Sequence, residues 1–238
     1  LQQLQRGLSQ PLTLVCAGAG FGKTTLVSCW LSSLEDRQGE EPGSVRTAWL
    51  SLDAQDSDLN GFVTYFVAAL RTMSPGACPA TLDLVRARTD PPLELLAATL
   101  INEIAALPGS FVLALDDYGA IRGEAVPELL NRLVQHWPPA LHLVIISRYN
   151  PPLPLARLRA AGQITEIRSR DLRFSRDETQ DYLAMALPKP PSQPVVAALE
   201  QRHEGWIAGL QLAALALRSL GEGEPEHAIA ALGEADAT

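Results

Sequence analysis

One stretch restricts the possible folds of this 238-residue chain more than any other: Ala17-Gly-Ala-Gly-Phe-Gly-Lys-Thr-Thr25. It follows a continuous apolar run, Leu12-Thr-Leu-Val-Cys16, and precedes apolar residues at helical spacing, namely Leu26, Val27, Trp30, Leu31 and Leu34. A buried strand, a glycine-rich turn and an amphipathic helix in direct succession point to an α/β chain.

The remaining pattern agrees. Thr47-Ala-Trp-Leu-Ser-Leu52, Phe111-Val-Leu-Ala-Leu115, Leu141-His-Leu-Val-Ile-Ile146 and Ile164-Thr-Glu-Ile167 read as further strands. Their apolarity is continuous rather than alternating, so both sheet faces are covered, as in a parallel sheet flanked by helices. Phe62, Tyr65, Phe66, Ala69, Leu70 and Met73 mark one face of a second helix. Residues 74–92 read as an irregular excursion, and Arg37 to Val45 as a loop. Asp90-Pro91-Pro92 opens a third helix with Leu96, Leu100, Ile101, Ile104 and Leu107 facing inward, and Glu124 to His136 forms another. After about Ser169 strand signals stop. Ser175-Arg-Asp-Glu178 is a capping box, and helices are predicted at 176–187, 192–204 and 206–220. The expected architecture is a three-layer α/β sandwich with a mainly parallel sheet over 1–170, a small all-helical module over 171–220, and an acidic tail or the start of a next element over 221–238.

Composition excludes several classes. Net charge is −8, and five acids after Leu220 leave the rest of the chain at about −3 without a basic block. Phosphate backbones are gripped by clustered Lys and Arg, so nucleic acid is not an expected partner of this segment alone. Three cysteines make neither a disulfide framework nor a zinc site, and Cys16 and Cys29 read as small core residues. The opening residues do not resemble a signal peptide, and the uncharged run Gly205 to Leu217 is 13 residues against the roughly 20 of a membrane span. A soluble, cytoplasmic protein is expected.

The glycine-rich stretch matches the P-loop pattern with Ala17 in place of the first glycine. Gly18, Gly20 and Gly22 allow backbone N–H groups to turn inward around a phosphate, and the helix that follows adds its positive end. The predicted nucleotide contacts are Ala17, Gly18, Ala19, Gly20, Phe21, Gly22, Lys23, Thr24 and Thr25. Lys23 neutralises the β- and γ-phosphates, and Thr24 holds Mg²⁺ through its hydroxyl. Asp116, at the tip of the strand from Phe111, is the second metal-side group, and Asp117 is placed to orient or deprotonate the attacking water. Arg148 follows the strand from Leu141. Ligands in open α/β sheets sit beyond the carboxyl ends of strands, so Arg148 is expected to sense the γ-phosphate or stabilise its leaving charge.

With these stand Ala48-Trp-Leu-Ser-Leu-Asp53, Phe62 to Leu70, Leu115-Asp-Asp-Tyr118, Ser147-Arg148, Pro151-Pro-Leu-Pro-Leu-Ala-Arg-Leu-Arg159, Asp171-Leu-Arg-Phe174 and Glu204-Gly-Trp-Ile-Ala-Gly-Leu-Gln-Leu212. In that order they resemble the nucleotide-binding module of the STAND class of P-loop proteins, and within it the MalT-type, LuxR-family regulators of bacterial transcription. The resemblance implies an ATP/ADP switch with Mg²⁺, a closed ADP-bound rest state, and an ATP form that self-associates. It implies DNA contact only through a C-terminal domain beyond this segment. Relatives carry a Gly-x-Pro motif whose Pro touches the base, and this chain aligns Gly209-Leu-Gln211 there. Motor-type ATPases place Glu after the metal-side Asp, whereas Asp117 is one methylene shorter, so hydrolysis is expected to be slow. A fast ATPase or motor, a non-hydrolysing interaction scaffold and a small-molecule kinase are the alternatives.

Overall fold

The computed structural model describes residues 1–36, 45–87 and 91–219. Of the loop expected over Arg37 to Val45, residues 37–44 lie outside the described residues, as do Asp90 of the third helix's opening, Leu220 and the tail over 221–238, whereas Val45 already belongs to a strand. The chain divides into two compact units, one of Leu1–Ala17 with Lys23–Ile167, the other of Gly18–Gly22 with the chain from Arg168 on.

The first unit is a five-stranded sheet with helices. Its strands are β1 (Leu12–Cys16), β2 (Val45–Ser51), β3 (Ser110–Asp116), β4 (Leu141–Ser147) and β5 (Ile164–Arg168), in the order β2-β3-β4-β1-β5. The β1/β4, β2/β3 and β3/β4 pairs are parallel. The fold is therefore the α/β sheet expected from the apolar runs. β1 and β4 are buried along their whole length, as their continuous apolarity requires. The edge strand β2 is only half-buried almost throughout, so for this strand the apolar run overstates the cover.

The helices of this unit are α1 (Gln2–Gly7), α2 (Lys23–Glu35), α3 (Leu59–Met73), α4 (Pro79–Arg86), α5 (Leu93–Ala105), α6 (Ala125–Gln135) and α7 (Leu155–Ala160). Three sequence expectations need correction. Cys29 is exposed, because the buried stripe of α2 is Val27, Trp30, Leu31 and Leu34 and position 29 falls out of phase with it. Tyr65 is 54% exposed, whereas Val63 and Val67 complete the inner face of α3. Residues 74–92 are not simply irregular, since α4 lies within them. Pro79 starts α4, and the carboxylate of Glu103 on α5 accepts from the backbone of Ala80 and Thr81 and from the Thr81 hydroxyl, at 2.9, 2.9 and 2.6 Å. A carboxylate at a helix start satisfies donors that have no intrahelical partner.

One polar group lies deep in the sheet. His142 of β4 is 5% exposed, with Nδ1 2.7 Å from the Gln10 carbonyl and Nε2 3.1 Å from the Thr13 hydroxyl. A carbonyl can only accept, so Nδ1 carries the proton and Nε2 accepts from Thr13. Burial holds the ring neutral, with its pKa lowered to about 4 from the ordinary 6.5.

The second unit contains α8 (Ser169–Leu172), α9 (Arg176–Ala186), α10 (Gln193–His203) and α11 (Ile207–Ser219). The capping box read from sequence is present: Ser175 Oγ accepts from Glu178 N at 3.2 Å and the Glu178 carboxylate accepts from Ser175 N at 2.8 Å. Leu183, Val195, Val196, Leu199, Leu210, Ala213 and Ala214 form its core.

Candidate functional site

Strand register gathers the first unit's chemistry at one end of its sheet. Cys16 of β1 is level with Ser147 of β4, and Ser51 of β2 is level with Asp116 of β3. The residues following these strands therefore emerge at the same edge. Lys23 opens α2 as expected, and Thr24 sits in its first turn, where its hydroxyl donates to Asp116 Oδ2 at 3.0 Å. The other oxygen, Oδ1, accepts from the Asp117 backbone at 2.8 Å. Asp116 is 6% exposed, so its carboxylate is fixed in place by two donors.

Asp117 is exposed and left-handed, with φ at 52°, and starts the turn Tyr118–Ala120. Asp tolerates that region better than most residues. The adjoining Gly119 lies against Ser147, since a Cβ there would come 3.4 Å from Ser147 Oγ. Ser147 Oγ in turn accepts from Tyr149 N at 3.3 Å, bracketing the exposed Arg148. The tip of β3 and the bend after β4 thus support each other, a link that no sequence pattern announced.

The charges interact. The Lys23 ammonium is pulled below its usual pKa, first by burial and then by the positive charge of Arg148, while Asp116, Asp117 and Cys16 act in the opposite direction. Lys23, Thr24, Asp116, Asp117 and Arg148 are therefore one electrostatic neighbourhood.

The glycine-rich loop has left-handed turns at Gly20 and Gly22, with φ of 72° and 71°. Alternation of this kind makes an anion-binding concavity of backbone N–H groups. Gly18, Ala19 and Gly20 are exposed, Phe21 and Gly22 are half-buried, Ala17 is buried at the end of β1, and Thr25 is exposed on α2. Within its unit the loop is met by Trp206, Ile207 and Ala208, whereas Gln211, which stands where the resemblance puts the Pro of the Gly-x-Pro motif, is exposed. The sequence signal for these three lay in the glycines flanking them, Gly205 and Gly209.

Among the described residues no three His, Cys, Asp or Glu side chains gather to hold a metal by themselves. The oxygen donors of Thr24 and Asp116 fit Mg²⁺, which keeps most of its shell as water and phosphate oxygens and takes few protein ligands. Among the described residues no helix is long and apolar enough to cross a membrane.

Sheet order, glycine-rich loop and strand-tip acid are those of a P-loop nucleotide-binding fold. In solved structures the Aeropyrum pernix ORC1 protein in complex with DNA matches with a TM-score of 0.54 at 17% identity, covering 98% of this chain and 64% of that one. The Aeropyrum pernix ORC2 protein, described in ADPNP–ADP complexes, gives 0.51 at 14%, covering 98% and 64%. In sequence the chain is a homologue of bacterial regulators named HTH-type transcriptional regulator MalT. It is 33% identical over 207 residues to that of Yersinia enterocolitica, covering 87% of this chain and 22% of the relative. To that of Yersinia pestis it is 32% identical over 218 residues, covering 92% and 23%. The chain thus spans under a quarter of the length of these curated relatives. No protein-family model matches it.

Proposed function

We propose that this chain is the ATP/ADP-binding switch module of a bacterial, cytoplasmic transcriptional regulator. The observation that carries the reading is the Thr24–Asp116 hydrogen bond beside Lys23, at the sheet edge where Arg148 also emerges. Homology to MalT-named regulators supplies the regulatory context, and the ADPNP–ADP complexes of a structural neighbour support an adenine nucleotide.

In this reading Lys23 and backbone N–H groups of the loop after Ala17, through Thr25, bind the β- and γ-phosphates, while the Ala17 N–H donates to the Ser147 carbonyl at 3.3 Å and anchors the loop's start. Thr24 and Asp116 hold Mg²⁺, which neutralises phosphate charge when bound. Arg148 senses the γ-phosphate. Asp117 orients the attacking water and hydrolyses slowly, because its carboxylate is shorter than Glu and its backbone is committed to a left-handed turn. The sheet module is taken as 1–170 and the helical module as 171–220. In a full-length protein the ATP form self-associates, and DNA is read by a domain outside this segment.

The test is to purify the chain gently, denature it and identify the released nucleotide by chromatography. ADP near one equivalent is expected, together with turnover well below that of motor ATPases. Lys23→Ala is expected to weaken ADP affinity by at least about a hundredfold, since it removes a charge-assisted phosphate contact. A Lys23→Ala protein that keeps its nucleotide sinks the assignment.

A further inference from the structure

The loop Gly18–Gly22 is held from its outer side by two hydrogen bonds. The Trp206 indole Nε1–H donates to the Ala19 carbonyl at 3.0 Å. The Ala208 backbone N–H donates to the Gly20 carbonyl at 3.2 Å. Ala208 lies in the first turn of α11, whose amides have no intrahelical acceptor, so the loop carbonyl supplies what the helix start lacks.

The surrounding residues are shaped for this contact. A Cβ on Gly20 would lie 2.5 Å from Ala208 Cβ and 2.9 Å from Trp206 Nε1, so only glycine admits the approach. A Cβ on Gly209 would fall 2.8 Å from Trp206 Cε3, which shows that this glycine makes room for the indole. Gly205, at φ 72°, crosses Phe174 so closely that a Cβ would lie 2.4 Å from its carbonyl oxygen, and Phe174 N donates to Gly205 O at 2.9 Å. Three glycines thus fix where the Trp206 ring sits, more than packing of a half-exposed ring would need.

We infer that Trp206 is a positioning residue for the phosphate-binding loop, acting through the Ala19–Gly20 peptide. This rests on the nucleotide reading above. A donor on the Ala19 carbonyl polarises the N–H of the same peptide unit, which belongs to Gly20. The Ala208 donor does the same for the N–H of Phe21. Hydrogen bonds in a chain strengthen one another, so an anion accepting those N–H groups tightens the outer bonds, and the outer bonds tighten the anion. By linkage, phosphate occupancy and the Trp206 contact stabilise each other equally. The contact reads phosphate, not base or ribose.

The test uses the ¹⁵N-labelled chain and the Trp206 indole N–H resonance, assigned by its loss in Trp206→Phe. Pyrophosphate with Mg²⁺ and ADP with Mg²⁺ are both expected to shift that resonance, and adenosine is expected to leave it in place. Trp206→Phe, which keeps a ring and removes the donor, is expected to weaken ADP binding about fivefold while leaving adenosine binding unchanged. A purely structural role would alter thermal stability without this phosphate-selective response. The inference is overturned if ADP binds the wild-type chain while the indole resonance stays still, or if Trp206→Phe binds ADP as tightly as wild type. A wild-type chain that binds neither ADP nor pyrophosphate overturns both this inference and the proposed function.

Discussion

The sheet unit and the helical unit are built around cores of different kinds. Trp30, Phe62, Phe66 and Phe111 are all but fully buried in the first, together with long aliphatic residues on every central strand. The second rests on five buried aliphatic side chains of valine size or larger, Leu183, Val195, Val196, Leu199 and Leu210, completed by Ala213 and Ala214. A fully buried large side chain contributes about 1.5–3 kcal/mol, so this core contributes far less than that of the sheet unit. The helical unit is therefore the part expected to open locally while the sheet persists. Ligand-responsive elements belong at that end of the stability range.

The sharpest challenge to this contrast is a pair of matched truncations. Leu113→Ala, in the middle of β3, should cost about 3 kcal/mol of global stability, read as a drop in the denaturant midpoint. Leu199→Ala, equally buried in α10, should instead raise hydrogen exchange in α9 to α11 while the amides of β1, β3 and β4 keep their protection. Equal loss of protection in both units after Leu199→Ala would show one cooperative body. Acid offers a milder probe of the sheet unit. The folded pKa of His142 lies below that of the free ring, so the unfolded chain takes up the proton first as pH falls. Stability is complete above about pH 6.5 and declines towards pH 4, by as much as roughly 3 kcal/mol at the end of that window. His142→Gln should flatten this part of a melting-temperature profile, and an unchanged slope would remove His142 as its source. The smallest effect is expected at Glu103→Ala, which uncaps α4 for about 1–2 kcal/mol. Increased exchange should be confined to the amides of Ala80 and Thr81 and their turn.

Most of the sheet was legible because continuous apolar runs have one economical home, a strand covered on both faces. The P-loop, the Asp116 position and the capping box at Ser175 were legible because local chemistry fixes them. What escaped the sequence depends on partners far along the chain. α4 looked irregular among prolines and small residues, and Glu103, more than twenty positions away, supplies its start. Tyr65 and Cys29 fit a hydrophobic list yet fall on outer helix faces, where phase decides and composition does not. At the candidate site, the resemblance spoke only of a base contact near Gln211, whereas Trp206, Ile207 and Ala208 are the residues that meet the glycine loop. No periodicity marks an indole donor aimed at a carbonyl 187 positions away.

Strand order also dictates when the parts come together. β1 leaves the ribosome well before its neighbour β4, which begins at Leu141 and pairs Leu143 with Leu12. Until that partner is synthesised, Leu12 to Cys16 is an orphan apolar segment with an unfinished glycine loop behind it. β2 and β3 can pair sooner, because Ser51 meets Asp116 once the latter has emerged. Distant pairings are slow to form, since loop closure must precede the contacts that reward it. The earliest-made part of the nucleotide site is thus among the last to be assembled, so the nascent chain completes its sheet before it can hold a phosphate.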